Sequence, residues 1–139
     1  MISVVITREI SAMHVLDDEP KCGRFHGHNY KFEVTVSSEK LNADGMVVNF
    51  DEVKRFIDHY DHTLILPQSN IRQLFLDTTK VILNHREYEI PNSNISYISR
   101  SSATAENIAL QVKEDLLKKF PDFEVKIKLW ETSSSYVEV

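Results

Sequence analysis

From His26 to Ser37 the chain alternates without interruption. His26, His28, Tyr30, Phe32, Val34 and Val36 fall on one face of a strand, and Asn29, Lys31, Glu33, Thr35 and Ser37 fall on the other. No other feature narrows the fold as much. A long strand with one apolar and one polar face must be covered on the first and left open on the second. The same pattern puts two imidazoles, His26 and His28, on the covered face, about 6–7 Å apart at the backbone.

Residues 2–14 alternate as well, with Val4, Ile6, Ile10, Ala12 and His14 sharing one parity. The polar stretch 15–25 carries Pro20 and Gly23 and reads as a loop, so the two strands suit an antiparallel pair. After a connection over 41–48, Asn49 is a helix N-cap with Glu52 three residues on, a variant of the capping box. Phe50, Val53, Phe56, Ile57 and Tyr60 give that helix its apolar stripe. Thr104 caps a second helix with Ala105, Ile108, Ala109, Val112, Leu116 and Phe120 on one side, closed by Pro121. Alternation returns over 123–131, where Phe123, Val125, Ile127 and Leu129 point inward and Glu131 inherits their parity. Between the helices, 80–83 and 87–90 read as a hairpin around Asn84-His85-Arg86, and 95–99 as a further strand. The order β-β-α-(β-β-β)-α-β-β predicts an α+β fold with two helices on one face of an antiparallel sheet. No linker or repeat interrupts it, and residues 1–139 are expected to form one domain.

With a net charge of −5, a nucleic-acid-binding surface is not expected. No apolar run approaches a bilayer span, and residues 1–8 lack the pattern of a signal peptide. The single cysteine, Cys22, excludes an internal disulfide. A cytoplasmic protein is expected.

Three imidazoles from paired strands, with no fourth protein ligand, match a catalytic zinc site that keeps an open position. His14 ends the first strand and antiparallel pairing can bring it beside His26 and His28, with Gly27 leaving room for the backbone. Each histidine could instead be separately structural, and Cys22 could ligate in a Cys/His site. Cys22 lies four residues before His26, where a nearby metal or imidazolium would favour its thiolate. In Asp61-His62 the carboxylate could orient the imidazole, or the histidine could simply face the helix dipole. His59 and His85 carry no functional reading. Glu131 continues an apolar face, so its charge needs donors from a ligand, an arginine partner, or a strand end already in solvent.

These residues together resemble the family of 6-pyruvoyltetrahydropterin and 6-carboxytetrahydropterin synthases. The resemblance rests on Ser11-Ala12-Met13-His14, the run from Cys22 to Tyr30, Gly45 to Phe50, Asp61-His62, Thr104-Ala105-Glu106-Asn107 and Glu131-Thr132, all in the family's order. It implies a tunnelling fold: a four-stranded antiparallel sheet with two helices on one face, three subunits closing a barrel and two trimers stacking. It implies one zinc ion per subunit on His14, His26 and His28. Cys22 becomes a catalytic thiolate with Asp61 and His62 as proton-relay partner, and Glu131 anchors a pterin ring. Glu106, Thr104 and Thr132 are implied as further substrate contacts.

The implied substrate is a small-molecule pterin triphosphate, 7,8-dihydroneopterin triphosphate. One branch of the family eliminates triphosphate to give the pyruvoyl product. The other releases acetaldehyde and triphosphate and leaves the 6-carboxy product, on the route to 7-deazapurine (queuosine-type) bases of tRNA. The three residues between Cys22 and His26 resemble the carboxy branch. A non-catalytic zinc- or pterin-binding module is the other alternative. Ala103 stands where the family often has Pro, Asn49 where Asp is common, and the segment from 63 to 103 carries an extra hairpin.

Overall fold

The computed structural model describes residues 1–139. Strands β1 (Ile2–His14) and β2 (His26–Ser38) pair antiparallel over their whole length, from Ile2 opposite Ser38 to His14 opposite His26. Strand β8 (Glu124–Thr132) pairs with the other edge of β2, and β9 (Ser135–Glu138) with β8. These four form the antiparallel sheet expected from the alternation. On its apolar face lie Ile6 and Ile10 of β1, Phe32 and Val34 of β2, and Ile127 and Leu129 of β8, all buried.

Helices α1 (Phe50–Asp58) and α2 (Ala105–Lys119) cover that face, through Val53 and Ile57 of the first and Ile108, Ala109, Val112 and Leu116 of the second. Both predicted caps form. The Asn49 side chain accepts from the Asp51 amide at 2.9 Å, and Thr104 Oγ1 accepts from the Asn107 amide at 3.2 Å. Phe50 departs from the expected stripe: at the first helical position it points past the core and is 53% exposed.

The middle of the chain is richer than the expected three strands. It holds β3 (Leu64–Pro67), β4 (Ile71–Leu74), β5 (Thr78–Leu83), β6 (Arg86–Pro91) and β7 (Ile95–Ile98). The hairpin of β5 and β6 and the strand β7 fall where the sequence put them; β3 and β4 were not legible. Strand β3 is Leu-Ile-Leu-Pro with all four residues buried, so it has no alternation to read. Strand β4 is short and mostly exposed. β3 runs parallel to β1 and β7 runs parallel to β3, extending the sheet to six strands in the order β7-β3-β1-β2-β8-β9. The chain between β3 and β7 folds into a separate antiparallel sheet, β4-β5-β6. That small sheet buries Val81 and Leu83 against Val15, Leu64 and Leu66.

Candidate functional site

At the end of β1 and β2 the register sets His14 opposite His26, and Ala12 opposite His28. All three imidazoles turn to the helix-covered face, and one ring nitrogen from each lies within 4.8 Å of the others. The close approach depends on Gly27, where a Cβ would meet the Ala12 carbonyl oxygen at 2.8 Å.

Two backbone carbonyls fix which nitrogens converge. His14 Nδ1 lies 2.7 Å from the Ala103 carbonyl oxygen, and His26 Nδ1 lies 2.7 Å from that of Arg24. A carbonyl only accepts, so each Nδ1 carries the proton and each Nε2 presents its lone pair to the cluster. His26 Nε2 is buried with no hydrogen-bond partner. The Nε2 atoms of His14 and His28 are 3.1 Å apart, a separation at which they share either a proton or a cation. Four-coordinate zinc with Zn–N bonds of about 2.0–2.1 Å places ligand nitrogens roughly 3.3 Å apart. The donor set, the two carbonyls that orient it and its orphaned lone pair therefore fit a metal ion.

Burial lowers the basicity of His14 and His28, which outweighs the opposing pull of the Ala103 carbonyl on His14 and of Glu131 on both, and favours the neutral forms that ligands must have. Glu131 stands at the rim, with Oε1 3.5 Å from His28 Nε2 and Oε2 3.9 Å from His14 Nε2. It keeps the inward parity expected from Leu129, and the groups that face it are imidazoles and not an arginine. One step past the last β2–β8 pair, Glu131 comes level with Tyr30. Sequence reasoning gave Tyr30 no role. It is fully buried, packs edge-on against His14 and His28, and its hydroxyl has no partner. Burial first, and the charge of Glu131 second, hold its phenol protonated. Its place in the same alternating row as the histidines was the available signal. The orienting carbonyls of Ala103 and Arg24 left none, because any residue type supplies them.

Cys22 is half-buried in the loop between β1 and β2, its carbonyl accepting from the Leu16 amide at 2.8 Å. Asp61 and His62 follow α1. Asp61 Oδ1 accepts from the Ser11 amide at 2.9 Å and lies 2.9 Å from His62 Nδ1, while the His62 amide donates to the Ser11 carbonyl at 2.7 Å. The Ser11 hydrogen bond foremost, then the His62 contact, holds the Asp61 carboxyl below the usual range. His62 adopts φ +58° and its ring is 82% exposed. It lines a cavity with Ser11, Met13, Asn29 and Thr63 that also reaches His28. No side-chain hydrogen bond joins it to Cys22 within the chain.

Thr104 caps α2 one residue beyond the carbonyl that orients His14. Glu106 is exposed on the first turn of that helix, and Thr132 is exposed at the end of β8, 3.2 Å from the Ser134 hydroxyl.

A helix-backed sheet with, at one end, a three-imidazole cluster that could hold a metal ion defines a class of T-fold proteins. The family model described as 6-pyruvoyl tetrahydropterin synthase matches residues 3–139, and the chain belongs to that family. A 6-carboxy-5,6,7,8-tetrahydropterin synthase of Rickettsia typhi is 34% identical over 134 residues, covering 90% of this chain and 89% of that one. The protein of the same name from Rickettsia bellii is 33% identical, with 94% of each chain covered. Among solved structures, the 6-pyruvoyltetrahydropterin synthase of Plasmodium vivax superposes with a TM-score of 0.73 at 20% identity, covering 99% of this chain and 96% of its own. That of Plasmodium falciparum gives 0.70 over the same shares. These likenesses establish the tunnelling fold.

Proposed function

We propose that the chain is a zinc-dependent 6-carboxy-5,6,7,8-tetrahydropterin synthase. It would convert 7,8-dihydroneopterin triphosphate to 6-carboxytetrahydropterin with release of acetaldehyde and triphosphate, a cytoplasmic step toward 7-deazapurine bases of tRNA such as queuosine. The observation that carries the reading is the convergence of His14, His26 and His28, with two tautomers set by carbonyls and one buried lone pair unpartnered. The names of the relatives at 33–34% identity support the carboxy branch, as does the three-residue gap between Cys22 and His26.

A zinc ion held by the three histidines supplies a Lewis acid that makes hydroxyls on the substrate side chain more acidic. The chain's own groups do the rest. Glu131 offers two oxygens to the ring N–H and exocyclic amine of a pterin, which would hold the heterocycle still while the side chain reacts. Cys22 as thiolate takes a proton at Sγ. His62 donates from Nδ1 to Asp61, which leaves Nε2 free to take or return another. Glu106, Thr104 and Thr132 are proposed as further contacts around the pterin.

The His62 ring is exposed and makes no hydrogen bond to Cys22 within the chain, so we assign its partner Cys22 to another subunit of a homo-oligomer, a trimer or a dimer of trimers. The strands β7 and β9, which end the six-stranded sheet, are the edges such a trimer would join. The pyruvoyl branch, acting on the same substrate, is the alternative reading of these residues. Cys22→Ala tests the assignment of the thiol: turnover should be abolished with zinc still bound. Loss of zinc on that substitution would make Cys22 a ligand and overturn its role as base.

A further inference from the structure

We propose that the β5–β6 hairpin is a positioning clamp on the loop that carries Cys22, with Asn84 and His85 as its positioning residues. The catalytic part of this inference rests on the role given to Cys22 above; the mechanical part does not.

The loop over 15–25 and the turn of the hairpin are far apart in sequence and interlocked in space. The Asn84 amide donates to Asp17 Oδ1 at 2.8 Å, and Asn84 Oδ1 accepts from the Asp18 amide at 3.0 Å. His85 Nε2 lies 2.6 Å from Asp18 Oδ1. Gly23, next to Cys22, packs so tightly that a Cβ would meet Asn84 Nδ2 at 2.8 Å and the Glu19 carbonyl at 2.6 Å. The two ends of the loop are held as well. Val15 at its entry is buried with Val81 and Leu83, and Phe25 at its exit stacks edge-on with Tyr88 of β6, ring centres 5.0 Å apart.

The backbone is spent on this contact. Of the four non-glycine residues with positive φ, three are Asp18, Asn84 and His85, at 65°, 46° and 68°. Asn84 and His85 occupy the two central positions of the turn between Leu83 and Arg86, where Asn-Gly is the ordinary pair for such angles. A histidine in the left-handed region is disfavoured over glycine. Here its ring reaches the loop, which a glycine would not.

The test is the zinc-loaded protein with Asn84→Gly and His85→Gly together. Glycine suits both angles, so the hairpin keeps its turn and only the side-chain contacts to the loop are lost. Cys22 is the only thiol, so its alkylation by iodoacetamide reads the loop directly. The rate should rise about three- to tenfold, as expected for the loss of one or two ordinary hydrogen bonds. Amide exchange over 15–25 should quicken with it, while bound zinc and KM stay near those of the parent and kcat falls. Asp17→Asn with Asp18→Asn acts from the loop side, on the His85–Asp18 contact and on the bond from the Asn84 amide to Asp17, and should shift alkylation the same way. Unchanged alkylation and unchanged exchange in both double variants would overturn the clamp. Absence of pterin turnover in the parent would overturn the catalytic reading of Cys22, and the alkylation comparison would still decide the clamp.

Discussion

The Ala103 carbonyl oxygen lies 2.7 Å from His14 Nδ1, tying the end of β1 to the residue that precedes the cap of α2. That bond decides that Nε2, not Nδ1, faces His26 and His28. The geometry of the imidazole cluster is thereby coupled to the docking of the helix as much as to the strand register.

Replacing His14, His26 or His28 by Ala should weaken zinc binding by at least about 100-fold, because loss of a second-shell partner alone costs 10–100-fold. Chelator competition measures it. His14 is fully buried, so His14→Ala should also destabilise the metal-free protein, by about 2–4 kcal/mol. Unchanged zinc affinity in any of the three variants would remove that residue from the site.

Gly27→Ala should act on the metal without touching a ligand. Its new methyl would sit 2.8 Å from the Ala12 carbonyl oxygen, and it can be relieved only by parting β1 from β2 between His14 and His28. Chelator competition should show zinc affinity falling by about tenfold, the size of a second-shell loss. Affinity equal to that of the parent would mean the strands part without moving the imidazoles.

Thermal unfolding of the metal-free protein should depend on pH in a stated direction. Burial lowers His14 and His28 from the ordinary 6.5, so below that pH the unfolded chain binds protons the folded chain refuses. Their contribution is full above pH 6.5 and is lost as the pH falls below it toward their lowered folded values. The exposed His85–Asp18 contact raises His85 and acts in the opposite sense, its stability present below 6.5 and lost as the pH rises through the higher folded value. One buried and one half-buried imidazole against one exposed pair give a lower Tm at pH 5.5 than at 7.5. A Tm that rises on acidification would contradict the burial account of these histidines.

Much of the fold was legible because β1, β2 and β8 are long strands with one wet face, and α1 and α2 carry their caps in the sequence. The convergence of His14, His26 and His28 was legible for the same reason, since alternation and antiparallel pairing put all three on one face. What escaped has a physical cause in each case. Strand β3 is buried throughout and has no period, Tyr30 reads as ordinary core, and backbone carbonyls leave no trace in residue identity. The orientation of His62 depends on a positive φ and on hydrogen bonds to Ser11, fifty-one positions back in the chain, which no local pattern encodes.

Glu131→Gln keeps the shape of the carboxylate but loses one of the two acceptors offered to a pterin. KM should rise by about tenfold or more, as for one charge-assisted hydrogen bond, with zinc content unchanged. Steady-state kinetics with metal analysis on the same samples separates the two. Loss of zinc in this variant would make Glu131 part of the metal site and not a substrate anchor.

The most direct measurement is the product of the zinc-loaded enzyme acting on 7,8-dihydroneopterin triphosphate. Acetaldehyde and 6-carboxytetrahydropterin should appear in equal amounts, and both should vanish on chelation and return with zinc. A pyruvoyl product without acetaldehyde, or no turnover by the zinc-loaded protein, would contradict the carboxy synthase assignment.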